Sequence, residues 1–134
     1  MTTTFGQMAS EAMAVVQATS APQLKQRLEQ DPQLLLVDVR GFESRRNSGM
    51  IPGAIAVSHG ELLFKADQEV PPEWQDPRLQ DRSRPIVTHC DLGPLGAISA
   101  RTLHDMGFMN VNYLEGGIDA WVKAGFPVEP VAVK

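Results

Sequence analysis

The sequence has one cysteine, Cys90, in 134 residues. That excludes an internal disulfide and a four-thiolate metal site, and it leaves no second thiol in the chain to resolve an oxidised Cys90. Any redox or sulfur partner must come from outside. The chain also lacks long runs of one charge. A formal net charge of -4 and a pI near 5.3 argue against a nucleic-acid backbone or an anionic membrane surface as the main partner. No apolar stretch approaches membrane-spanning length, and the start Met-Thr-Thr-Thr-Phe lacks the basic first turn and apolar core of a secretion signal. A soluble cytoplasmic protein is the expectation. No internal repeat and no low-complexity tract interrupt the chain.

What is present suits one compact α/β core, since the chain is 43% hydrophobic and too short for two ordinary domains. Phe5, Met8, Ala12, Val15 and Val16 recur at helical spacing and predict an N-terminal helix laid against the body on those residues. Ser20-Ala-Pro-Gln then reads as a helix start, with Leu24 and Leu28 on its apolar face and Asp31-Pro32 as its stop. Leu34 to Val39 is an almost uninterrupted apolar run, as expected of a parallel strand covered on both faces. Further runs at Ala54 to Val57, Ile86 to Thr88 and Val111 to Leu114 alternate with helix-like segments, which implies a parallel sheet with helices on both faces. Ligands in such sheets bind beyond the carboxyl ends of the strands, where Asp38 to Arg40 and Cys90 fall. The irregular segment from Lys65 to Arg84 reads as an exposed connection, with Trp74 as its expected anchor.

Cys90 lies between an apolar strand and the amphipathic segment beyond Asp91-Leu92-Gly93-Pro94-Leu95, whose helix is expected to begin at Gly96 or Ala97. Backbone N–H groups of such a loop and the positive end of the helix macrodipole both favour a thiolate. Cys90 is therefore a candidate nucleophile. Its competing reading is a small buried apolar residue ending a strand. His89 should point to the opposite side of an extended backbone and form no dyad with Cys90, His59 reads as a surface or turn histidine, and His104 as exposed.

Leu36-Val-Asp-Val-Arg40, Gly49-Met-Ile-Pro-Gly-Ala-Ile55, the Cys90 loop and Leu114-Glu-Gly-Gly-Ile-Asp-Ala-Trp-Val-Lys-Ala-Gly-Phe-Pro-Val128 together resemble the rhodanese-like family, in its order and at about its spacing. The resemblance implies a rhodanese-like three-layer α/β fold over 20–129, with a helical extension over 1–19 and a tail over 130–134. It implies a cysteine that carries sulfur as a persulfide from a small sulfur donor to a thiol or protein acceptor, with no cofactor and no metal. Cys90 takes the catalytic place, and Asp91, Leu92, Gly93, Pro94, Leu95, Gly96 and Ala97 form the substrate loop. Asp38 and Arg40, at the end of a buried strand, correspond to the pair that braces the neighbouring loops.

The departures from the family pattern carry as much information. Common rhodaneses read Cys-x-x-Gly-x-Arg-Ser, and Leu95 and Gly96 stand where that arginine and serine line the pocket. The family's Gly-His-Ile-Pro turn is Gly49-Met50-Ile51-Pro52 here, after a segment from Arg40 that is one residue longer than usual. Related phosphatases have a longer loop closed by an arginine, so phosphoester hydrolysis is not expected. Asp91, if unpaired, would disfavour the thiolate and repel the thiosulfate dianion. The expectation is a sulfurtransferase using persulfides or less charged donors. The alternatives are a binding or regulatory module with weakened turnover, docking through the loop or the Glu73-Trp74 region, and a redox sensor acting through Cys90 sulfenate.

Overall fold

The computed structural model describes residues 2–131. The chain runs α1 (Phe5–Val15), β1 (Gln17–Thr19), α2 (Ala21–Gln30), β2 (Leu35–Asp38), α3 (Phe42–Ser48), β3 (Ile55–Ala56), α4 (His59–Lys65), β4 (Ile86–His89), α5 (Pro94–Asp105), β5 (Val111–Leu114) and α6 (Gly117–Lys123), with two short 3-10 turns between α4 and β4. The five strands form one sheet in the order β1-β5-β4-β2-β3, parallel throughout. The apolar runs that predict strands are those strands. β1 was not expected, because three residues are too few to show a period.

Side chains alternate across the strands, so the sheet divides the core in two. Leu35, Val37, Ile86, Val111 and Tyr113 face α1, α4 and α5 together with Ala12, Leu62, Ala97, Ala100 and Leu103. Leu36, Val87 and Leu114 face α2 and α6 together with Leu24, Ile118 and Trp121. Each fully buried leucine contributes about 1.5 to 3 kcal/mol by leaving water, so the continuous apolar strands fix a three-layer sandwich. Trp121 is buried, and its indole N–H donates to the Pro127 carbonyl at 2.8 Å.

The helix boundaries follow local chemistry. Thr4 and Ser20 head α1 and α2 with reciprocal capping boxes to Gln7 and Gln23, and at the head of α4 the Ser58 N–H and hydroxyl both donate to the Glu61 carboxylate. Two expectations are overturned. α1 buries Ala9 and Ala12, whereas Phe5, Met8 and Val15 are exposed, because α1 lies close against α5 and only the small face fits. Trp74 is 55% exposed and anchors nothing. The connection is held instead by buried Leu79 and by Arg82, whose guanidinium donates to the carbonyls of Met106, Leu79 and Ala66 at 3.0, 3.1 and 2.8 Å. An arginine fork can satisfy several inward carbonyls at once, which an indole with a single donor cannot.

Candidate active site

Strand order reverses between β2 and β4, and both strands end at the same edge of the sheet. Asp38, Arg40 and Cys90 leave the sheet there, at the position where parallel α/β sheets bind ligands. Cys90 is 5% exposed and lies in a cavity of about 280 Å³ lined by Phe5, Arg40, Gly41, Ser44, Cys90, Asp91, Leu92, Pro94 and Leu95.

The loop after Cys90 is shorter than expected, since α5 begins at Pro94 rather than at Gly96 or Ala97. Proline at the first helical position needs no hydrogen-bond partner, and Gly93 before it takes φ 123°, a conformation side-chain-bearing residues avoid. The resulting turn folds the Gly93 N–H back onto Cys90 Sγ at 3.1 Å. The sulfur thus accepts a backbone donor at the start of a twelve-residue helix. Pro94 has no N–H and the Ala97 N–H is engaged by the Gly93 carbonyl at 3.0 Å, so the donors left to face the cavity are fewer than the span 91–97 implies. Leu95 and Gly96, in the first helical turn, have no intrahelical acceptor for theirs.

The loop is clamped from behind. Ile118 and Asp119 at the start of α6 donate to the carbonyls of Cys90 and Asp91 at 2.9 and 3.1 Å. This approach requires glycine at 117, where φ is 63° and a Cβ would lie 2.5 Å from the Asp91 carbonyl. The Gly116-Gly117 pair thus both opens α6 and lets it close onto the loop. On the other side, the Thr88 hydroxyl donates to the Gly96 carbonyl at 2.6 Å.

Asp91 is not an unpaired carboxylate. Its Oδ1 accepts from Arg40 Nη1 at 3.0 Å. Arg40, 2% exposed, also forks onto Asp38 at 3.0 and 2.8 Å and donates to the Gly49 carbonyl and the Ser48 hydroxyl, each at 2.6 Å. Burial works against the Arg40 charge, but the hydrogen bonds and attraction of Asp38 and Asp91 outweigh it and raise the guanidinium above its usual value. The buried cation is matched by both carboxylates, so no free positive charge faces the sulfur from this cluster.

The histidines stand apart from the sulfur. His89 is fully buried, and its Nδ1 lies 3.2 Å from the Cys90 carbonyl oxygen, not on Sγ. Burial lowers its pKa, so the ring is neutral and its Nε2, 3.7 Å from Asp38, forms no ion pair. His59 is half-buried rather than on the surface: its Nδ1 lies 2.8 Å from the buried Ser99 hydroxyl, and burial lowers its pKa as well. His104 is exposed as expected. Among the described residues no group of His, Cys, Asp and Glu is arranged to hold a metal ion.

A family model described as a rhodanese-like domain matches residues 20–124. The chain belongs to the rhodanese-like domain family. Within it, a Bacillus subtilis relative whose name proposes a sulfurtransferase, YtwF, is 31% identical over 106 residues, covering 79% of this chain and 90% of the relative. A protein of Allochromatium vinosum named sulfurtransferase is 28% identical over 114 residues, covering 85% of this chain and 95% of its own. Among solved structures, RPA3614 from Rhodopseudomonas palustris, a protein of unknown function described as a possible tyrosine phosphatase, superposes with a TM-score of 0.89 at 28% identity over 96% of each chain. The relatives and the rhodanese-like fold support a sulfurtransferase-family role for this chain.

Two features of this rhodanese-like site escape sequence reasoning. The pairing of Arg40 with Asp91 joins residues 51 positions apart. Phe5 lines the cavity from outside the span 20–124.

Proposed function

We propose that the protein is a sulfurtransferase that moves sulfane sulfur through a Cys90 persulfide to a thiol or similar acceptor. The observation that carries this reading is the Cys90 sulfur held by the Gly93 N–H at 3.1 Å in a cavity at the start of α5. In the first step the Cys90 thiolate attacks the outer sulfur of the donor. A Cys90 S–S bond forms as the donor's bond to that sulfur breaks, and the bonding pair departs with the leaving group. In the second, an acceptor thiolate attacks the outer sulfur of the persulfide, and Cys90 leaves as thiolate. The Gly93 N–H holds negative charge on the sulfur through both steps and needs no reorientation as it develops, and the N–H groups of Leu95 and Gly96, without intrahelical acceptors, add to the positive end of α5. Asp38 and Arg40 position the loop through Asp91.

The pairing of Asp91 with Arg40 sharpens the donor. The pocket keeps a backbone cradle and, among the described residues, lacks an uncompensated cation, which favours persulfides and singly charged donors over a dianion. It equally lacks the arginine that grips a phosphate in the related phosphatases. Steady-state transfer by wild type, Cys90→Ser and Cys90→Ala tests the reading: both variants are expected to lose at least about 1,000-fold, the scale on which an essential nucleophile acts. Transfer retained in Cys90→Ser overturns it, and release of phosphate from an aryl phosphate by wild type but not Cys90→Ser replaces it with the phosphatase reading.

A second reading has its own observation. Trp74 is 55% and Leu63 56% exposed, and Phe64, Lys65, Glu73 and Trp74 line a surface cavity of about 450 Å³. A module binding through this face would keep its partner in Cys90→Ser and lose it in Trp74→Ala, the reverse of the pattern for a loop-dependent interaction.

A further inference from the structure

Phe5 stands at the first residue of α1, on the same helix face as Ala9 and Ala12, the i, i+4 and i+7 positions. Ala9 and Ala12 are 5% and 1% exposed, and Ala12 shares a core with Ala97 and Ala100 of α5. Small side chains let the two helices approach closely, and Arg101 of α5 reaches the Glu11 carbonyl at 3.5 Å. The packed face of α1 therefore runs alongside α5 towards the Cys90 loop. Thr4 and Gln7 fix the helix start with hydrogen bonds of 2.8 and 3.1 Å, so the position of Phe5 is set from both ends. The core does not absorb this ring, which is 53% exposed, yet it lines the cavity of Cys90 with Leu92, Pro94 and Leu95. Among the described residues of that lining the only charged side chains are Arg40 and Asp91, which compensate each other.

We propose that Phe5 is a specificity-determining residue that forms, with Leu92 and Leu95, an apolar wall for the carrier portion of the sulfur donor, selecting donors with an apolar, singly charged leaving group. The inference rests on the sulfurtransferase reading and deepens it. A benzenethiosulfonate anion fits this chemistry: Cys90 takes its outer sulfur, the S–S bond to the sulfonyl sulfur breaks, and benzenesulfinate departs with the bonding pair and its ring against Phe5. A methanethiosulfonate anion carries the same charge and the same reacting bond without the ring.

The experiment compares kcat/KM for these two donors and for thiosulfate in wild type, Phe5→Ala and Phe5→Trp. Wild type is expected to favour the benzene donor over the methane donor by about ten-fold, mainly through KM, the scale of one aromatic contact with its buried area. Phe5→Ala is expected to bring the ratio close to one, and Phe5→Trp, which keeps an aromatic wall and the helix, to preserve it. A ratio near one in wild type, or the same ratio in wild type and Phe5→Ala, overturns the inference and leaves the sulfurtransferase reading standing. A wild-type protein that takes sulfur from a persulfide but from none of the three overturns the inference alone, and one that takes sulfur from none of the three and from no persulfide overturns both.

Discussion

At the scale of single residues, the chemistry turns on what Asp91 does to Arg40. A guanidinium within the lining of the Cys90 cavity would attract anionic donors, but its Nη1 is already paired with Asp91 at 3.0 Å. Asp91→Asn removes that charge at constant shape and leaves Arg40 compensated by Asp38 alone. Thiosulfate kcat/KM is expected to rise by about ten-fold or more, because one carboxylate repelling a dianion across a few ångströms is worth more than 1.4 kcal/mol even in a well-screened pocket. Unchanged thiosulfate kinetics would show that this pair does not control anion entry. Asp91 follows Cys90 directly in the sequence, but its partner is not legible there. The ion pair is made by tertiary packing at the ends of two strands, and nothing local encodes it. The same limit applies to Phe5, whose helical spacing was legible while its role as cavity lining depends on how far α1 slides along α5.

Elements show the converse, because their periodicity and punctuation are local. Strands β2 to β5 were legible as apolar runs, and Ser20 with Pro22 marked α2. Pro94 differs: a proline four residues after a cysteine reads as loop, but it suits the first helical position equally well, and α5 begins there. The result is a shorter loop held by the start of α6. Gly117→Ala should separate conformational cost from steric cost. Gly117 and Gly125 both have positive φ, 63° and 84°, but only Gly117 would drive a Cβ to 2.5 Å from the Asp91 carbonyl, and Gly125 faces open space. Gly125→Ala is expected to lose about 1 kcal/mol, and Gly117→Ala about 2 to 4 kcal/mol with slower sulfur uptake, both read from denaturant unfolding and donor kinetics. Equal losses at the two positions would mean that α6 does not clamp the loop.

For the whole molecule, the groups that cannot ionise freely set the acid limit of stability. His89 and His59 have pKa values lowered from 6.5 by burial, so the unfolded chain binds protons that the folded chain refuses. Their contribution is complete above pH 6.5 and is lost as pH falls towards the folded values, by up to about 1.4 kcal/mol per pH unit for each ring. Glu61, lowered from 4.5 to about 2 by its hydrogen bonds to Lys65 and Ser58, adds a second loss as pH falls from 4.5 to about 2. Urea unfolding between pH 8 and pH 4 is expected to show stability declining below about 6.5, with a shallower decline in His89→Asn; a flat profile across pH 6.5 to 5 would contradict the burial of neutral rings. The fold class and the place of Cys90 in it were readable because one sheet edge gathers the ends of β2 and β4, whatever the details of the loop. The central claim, that Cys90 carries sulfur, is tested most directly by the intact mass of the protein after incubation with a persulfide or thiosulfonate donor and again after a thiol chase. Wild type is expected to gain the mass of one sulfur atom and lose it to the thiol, and Cys90→Ser to gain none. Wild type that gains no sulfur from any such donor, or Cys90→Ser that gains as much, would contradict the account.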